Sequence, residues 1–281
     1  MLPATPTLEG AGVHLKRAFG DRQLPRLDPF LLLDDFHSDN PIDYIAGFPW
    51  HPHRGMETVT YVLDGRVEHG DSLGNKGVVG PGDVQWMTAG SGIVHQEMPK
   101  GRDGRMAGLQ LWVNLPKQHK MMDPRYQEIQ QAHVPVVSVG DGVDARIIAG
   151  TLNGVQGPVR DLMVEPEYFD VTMKPNSRFI HRVPRDHTVF SYMVDGRASF
   201  DPGTGDEIDG EHLVIYKPGE LVEIETRQKH ARFLLVAGKP LREPISWWGP
   251  MVMNTRQEIE VAIEEFQNGT FVKKRGTVKG A

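Results

Sequence analysis

Residues 58–67, TVTYVLDGRV, return in altered form at 188–198, TVFSYMVDGRA, and the shared Asp-Gly-Arg fixes the alignment between them. Downstream, Pro81-Gly82 is matched by Pro218-Gly219. Self-similarity of this kind marks a repeated structural unit. The chain is therefore read as a duplication whose second copy carries about six extra residues, DPGTGDEIDG being a turn-rich loop insertion. Its 281 residues leave room for two domains of roughly 100–200 residues each. The expected division is 1–135 and 136–281, with the junction inside QQAHVPVVSVGDGVDA.

The repeated unit reads as β. Segments 58–63, 109–113, 189–194 and 233–237 are short and mix β-branched with aromatic residues, and 31 glycines and 21 prolines punctuate the chain between such segments. Short strands between frequent turns indicate a mainly all-β protein built from two tandem barrels or sandwiches, not a parallel sheet. The turn pairs Asp64-Gly65 and Asp195-Gly196 directly follow two of the strands. One helix is predicted, near the C-terminus. Thr255 and Glu258 make a capping box, and Ile259, Ala262, Ile263 and Phe266 follow at helical spacing, predicting an apolar stripe packed on a sheet. Beyond it, Lys273, Lys274, Arg275 and Lys279 read as a frayed, solvated end.

Composition removes several function classes. With 31 basic and 37 acidic side chains the net charge is -6, which provides no field for a phosphate backbone, so direct nucleic-acid binding is not expected. There is no cysteine, so thiolate metal sites, disulfides and cysteine nucleophiles are excluded, and any metal must be held by nitrogen and oxygen. The first thirty residues lack the order of a secretory signal, and no apolar run approaches ~18 residues. A cytoplasmic protein without a membrane partner is the expectation.

Four candidate ligands lie in two stretches, WHPHRGMETVTYVLDG and PGDVQWMTAGSGIVHQEM. Side chains two apart on a strand share a face, so His51 and His53 can chelate from one strand and His95 and Glu97 from another. Two such pairs facing each other across a barrel would make a four-ligand site. Val59, Tyr61 and Leu63 share the parity of the first pair and are expected beneath it. Glu57 has that parity too and is a rival carboxylate, and composition leaves the choice open. Gly90 and Gly92 are expected to permit a bend before His95. Trp86, Met87 and Gln110 are expected in the core or lining a cavity.

The segments DPFLLLDDF, FPWHPHRGMETVTYVLDG, PGDVQWMTAGSGIVHQEM, GLQLWVNLP, ARFLLVAGKPL and GPMVMNT, in this order, resemble those of the pirins, a branch of the cupin superfamily. The resemblance implies a bicupin with one mononuclear metal in the N-terminal barrel. Its ligands, carried over residue by residue, are His51, His53, His95 and Glu97. The general cupin pattern takes its glutamate at the place of Glu57, whereas the pirin pattern makes Glu57 a supporting group. Aligning the two copies on Asp-Gly-Arg sets His51, His53 and Glu57 opposite Arg182, Pro184 and Thr188. Aligning them on Pro-Gly sets His95 and Glu97 opposite Arg232 and Leu234. The second domain is thus expected to lack the ligand set, with His181, His187 and His230 as surface or hydrogen-bonded histidines. His14, His37, His69, His119, His133 and His212 receive no role.

Three imidazoles and a carboxylate suit one divalent ion per chain, whether iron, manganese, nickel, copper or zinc. Iron is what the resemblance implies. It also implies a quercetin 2,3-dioxygenase type of activity, opening the central ring of a flavonol with dioxygen, and Glu97 is the expected catalytic base. No separate organic cofactor is expected. An alternative is a non-enzymatic, redox-responsive module that binds a regulatory partner protein through the surface near Arg54. A third is a metal-dependent isomerase of the general cupin kind.

Overall fold

The computed structural model describes residues 1–273 and, as backbone, the strand Thr277–Gly280. All four apolar segments lie inside strands: Met56–Asp64, Ala107–Asn114, Thr188–Ala198 and Ala231–Gly238. Contacts divide the chain into two units, Pro6–Gln131 with Leu241–Ala281, and Met1–Thr5 with Ala132–Pro240. The C-terminal segment assigned from sequence to the second domain therefore belongs, by contact, to the first. The cause is apolar, since Met251, Met253, Ile259, Ala262 and Phe271 bury one another beside the half-buried Val94.

The first unit has an eight-stranded sheet ordered Thr5–Glu9, Val13–Phe19, Phe30–Asp35, Ala107–Asn114, Met56–Asp64, Val84–Thr88, Arg125–Ile129 and Thr277–Gly280. A four-stranded sheet runs Phe48–His53, Ile93–Lys100, Arg66–Asp71 and Lys76–Val79. In the second unit Thr188–Ala198, Ala231–Gly238 and Glu167–Met173 form the middle of the large sheet, and Arg178–Arg182 pairs with Leu221–Glu225. Its interior includes an apolar cluster containing Phe169, Phe179, Phe233 and Leu235.

Register shows which strands correspond, and it corrects the alignment made on Pro-Gly. Pro81-Gly82 precedes Val84–Thr88, which pairs with the first Asp-Gly-Arg strand. Pro218-Gly219 instead precedes Leu221–Glu225, which pairs with Arg178–Arg182 as Ile93–Lys100 pairs with Phe48–His53. The dipeptides thus stand one strand apart in the topology. The two Asp-Gly turns also differ. Gly65 joins two strands, whereas Asp195-Gly196 lies within one long strand next to a register shift.

The helix forms over Arg256–Gln267 with Thr255 as N-cap and the full capping box to Glu258. Ile259 and Ala262 are buried, Ile263 is partly so, and the helix contacts the short strands Ser246–Trp248 and Met251–Met253. The end after it is not simply frayed. Lys273 Nζ lies 2.7 Å from Glu265 Oε1, and the backbone of Thr277–Gly280 pairs in parallel with Arg125–Glu128. Lys274 and Arg275 lie outside the described residues.

Candidate metal site

The strand Ile93–Lys100 alternates strictly, with Ile93, His95, Glu97 and Pro99 buried and Val94, Gln96 and Met98 half-buried between them. Period-2 geometry therefore turns His95 and Glu97 to one face. The neighbouring strand Phe48–His53 pairs with it antiparallel, His51 opposite His95, with an irregularity before Glu97. The two candidate pairs thus sit side by side on hydrogen-bonded strands of one sheet, not across a barrel from each other as expected. Adjacent strands are only about 4.8 Å apart, which brings the imidazoles together without spanning the interior.

One ring nitrogen from each of His51, His53 and His95 lies within 4.8 Å of the others, a group able to hold a metal ion. His51 Nδ1 is 2.8 Å from the Pro49 carbonyl and donates to it, the tautomer in which Nε2 is the nitrogen that offers a lone pair. That Nε2 is 3.0 Å from His53 Nε2. Both ring nitrogens of His95 are buried without a hydrogen-bond partner, an expensive state for an imidazole unless a cation takes a lone pair. Burial holds His53 and His95 well below the ordinary histidine pKa, reinforced by mutual repulsion among the imidazoles; for His53 the Pro250 backbone acts weakly the other way. Neutral imidazoles are the form that ligates. Glu97 borders the group, with Oε2 3.9 Å from His95 Nε2 and Oε1 accepting from Thr60 Oγ1 at 2.9 Å.

Glu57 is elsewhere. Gly55, at φ +75°, separates the two strands of the first motif, and a side chain there would strike the Val252 carbonyl. That turn resets the alternation, so parity does not carry from His53 into Met56–Asp64. Thr60, not Val59 or Tyr61, shares the cavity with the histidines. Glu57 points to the other face, is fully buried, and accepts from Thr88 Oγ1 at 2.6 Å. Burial raises its pKa, against Thr88, Trp86 and Arg125, which lower it.

The C-terminal segment braces the ligand strand. Arg54, next to His53, is 1% exposed. It pairs with Glu265 at 2.7 Å, donates to the Ser91 and Phe271 carbonyls, and lies 4.2 Å over the Phe271 ring. The expectation of a docking surface near Arg54 is therefore not met. Lys120, equally buried, donates to Gly55 O, Asn114 Oδ1 and Val252 O, its pKa pushed down to about 8 by desolvation against the fields of Glu243 and Glu258. Gly90 and Gly92 both have positive φ and form the bend before Ile93, as expected.

Above the histidines opens a cavity of about 640 Å³. Trp50, Trp112 and Trp247 supply its aromatic walls, and Trp112 meets His53 edge to face at 5.1 Å. Gln110 lines it, while Trp86 and Met87 are core residues outside it. Trp112 and Gln110 were legible in GLQLWVNLP, whose alternation sets Gln110 and Trp112 on one face and Leu109, Leu111 and Val113 on the other. Arg17, Asp34 and Trp247 carried no such signal.

The sequence matches the Pirin family over residues 12–113 and the Pirin C-terminal cupin domain over 168–272. The chain belongs to the pirin family. It is 45% identical over 267 residues to a Pirin-like protein of Caulobacter vibrioides, covering 95% of each chain, and 41% identical to Pirin of Homo sapiens, covering 92% of this chain and 88% of that one. Among solved structures it resembles a quercetin 2,3-dioxygenase from Acinetobacter baumannii, with a TM-score of 0.86, 32% identity and 96% of each chain covered. Both halves of the family's bicupin pattern are thus present. Among the described residues no helix is long and apolar enough to cross a membrane.

Proposed function

We propose that the chain is a metal-dependent dioxygenase of the quercetin 2,3-dioxygenase type, with one iron per chain held by His51, His53, His95 and Glu97. The observation that carries this reading is the convergence of three imidazoles, with three buried nitrogens of His53 and His95 lacking a hydrogen-bond partner, beside an aromatic-walled cavity lined by His51, His53 and Glu97. The printed name of the A. baumannii structure supports the choice of reaction. The charged groups lining the cavity are Glu9, Asp34 and Glu97 against Arg17. A divalent ion balances them, which favours an uncharged polyphenol over an anionic substrate.

When bound, the metal supplies Lewis acidity for an enolic hydroxyl and the electronic coupling to dioxygen that ring opening needs. The protein's own groups do the rest. Trp112 and Trp247, whose rings lie 6.3 Å apart, offer faces for a flat ring system and exclude water. Glu97 has one oxygen fixed by Thr60; the other, on the side of His95, would hold the metal at rest and, once freed from it, take the flavonol hydroxyl proton.

The test is anaerobic iron loading, then oxygen uptake and flavonol loss with quercetin. One iron per chain and equimolar consumption of quercetin and dioxygen are expected, with turnover lost in Glu97→Gln while iron stays bound. Full iron occupancy without any flavonol turnover would contradict the reading.

A further inference from the structure

A row of polar side chains crosses the cavity wall at right angles to the strands. Arg17 is the register partner of Asp34, Asp34 of Gln110, and Gln110 of Thr60, so four neighbouring strands each contribute one residue. All four line the cavity together with Glu97. At one end the row is internally satisfied. Arg17 Nε and Nη2 donate to the two oxygens of Asp34 at 2.8 and 2.7 Å, and Nη2 also lies 2.9 Å from Glu9 Oε1.

At the other end one hydroxyl faces two oxygens. Thr60 Oγ1 lies 2.9 Å from Glu97 Oε1 and 2.6 Å from Gln110 Oε1. A hydroxyl carries a single hydrogen and cannot donate to both. A carboxylate can only accept, whereas the oxygen and nitrogen of a carboxamide exchange places by a half-turn about its last torsion. The arrangement that satisfies both contacts of the Thr60 hydroxyl has Thr60 donating to Glu97 and Gln110 Nε2 donating to Thr60. The Gln110 oxygen then takes the position opposite, where the amide has no other hydrogen bond among the described residues.

We propose that Gln110, oriented by Thr60, is the specificity-determining residue of the cavity, presenting its amide oxygen to a hydroxyl group on the substrate. Trp112 stands two residues along the same strand face, roughly 7 Å away. A ring resting on Trp112 therefore carries its outer hydroxyls to Gln110 while its chelating edge meets the histidines. Since Arg17 is already neutralised, Gln110 is the acceptor of this wall that selects neutral, polyhydroxylated rings over bare ones. Thr60 is a positioning residue twice over, because the same hydroxyl fixes Glu97.

This inference rests on the flavonol reading, and the experiment separates the two. Dissociation constants for quercetin and for 3-hydroxyflavone, which keeps the chelating edge and lacks the outer hydroxyls, are measured anaerobically on the full iron-loaded chain by quenching of tryptophan emission. Wild type is expected to prefer quercetin by about tenfold, the worth of one good hydrogen bond. Gln110→Leu loses that preference with 3-hydroxyflavone affinity unchanged, and Gln110→Met, closer in length, does the same. Thr60→Val also loses it, whereas Thr60→Ser retains it, which a merely structural role for Thr60 does not produce. A preference that persists in both Gln110 variants overturns the inference, as do equal losses for both ligands or a wild type with no preference. A wild type that binds neither ligand overturns the flavonol reading itself, and the inference with it.

Discussion

In the first unit His51 faces His95 across a pair of antiparallel strands and His53 faces Ile93; in the second, the matching strands set Phe179 opposite Ile224 and His181 opposite Val222. Only one imidazole thus stands among these facing positions, with phenylalanine, isoleucine and valine at the others. His181 is spoken for, its Nε2 2.8 Å from Glu167 Oε2 and its ring between Phe169 and Phe179. The rest of that interior is filled by aromatic contacts such as Phe179 with Phe233 and Phe200 with Phe233. The same strand pairing carries a histidine group beside a cavity in one copy and an apolar, aromatic-rich cluster in the other. The difference teaches that the scaffold fixes where two facing residues meet, and the residue types alone decide between a ligand site and a core.

Phe179→Ala is the substitution expected to cost most. Phe179 is wholly buried in the second unit's core, and its truncation is expected to destabilise by about 3–5 kcal/mol in chemical denaturation. Metal content should not change. A loss of metal in this variant would break the comparison, because it would tie the site to the second unit's interior.

Glu57→Gln gives a smaller effect and sharpens the contrast within one motif. The carboxyl of Glu57 is raised by burial, so between the ordinary carboxylate pKa and its own value the folded chain holds a proton that the unfolded chain releases. Its contribution to stability is therefore greatest in acid and is lost as pH rises through the folded pKa. Glutamine keeps an acceptor for Thr88 and does not ionise. The variant should be more stable at neutral pH, show a flatter stability profile across that window, and bind metal as wild type does. Reduced metal binding would return Glu57 to the ligand set.

Much of this was legible in the sequence, because it depends on period and residue type. The alternation in IVHQEMPK gives the direction of His95 and Glu97, and the capping box of Thr255 and Glu258 gives the helix start. What escaped depends on events that period cannot record. The turn at Gly55 shifts the phase between His53 and Thr60, so Val59 and Tyr61 were expected where Thr60 lies. The Pro-Gly match had no topological meaning, so Arg232 and Leu234 were set against His95 and Glu97 in place of the strand that holds Ile224. Arg232 in fact pairs with Asp170 through both carboxylate oxygens. The burial of Arg54 follows from a chain segment more than two hundred residues away, which no local pattern contains.

The most direct test of the account is the metal content of the purified full chain beside that of His51→Ala. His51 is only half-buried and its loss should leave the fold intact, so the two proteins can be compared at equal stability. The account predicts one ion per chain in wild type and an affinity lower by more than about 100-fold in the variant, beyond the 10- to 100-fold cost of losing an outer-shell partner. An ion retained at full occupancy in folded His51→Ala would contradict it.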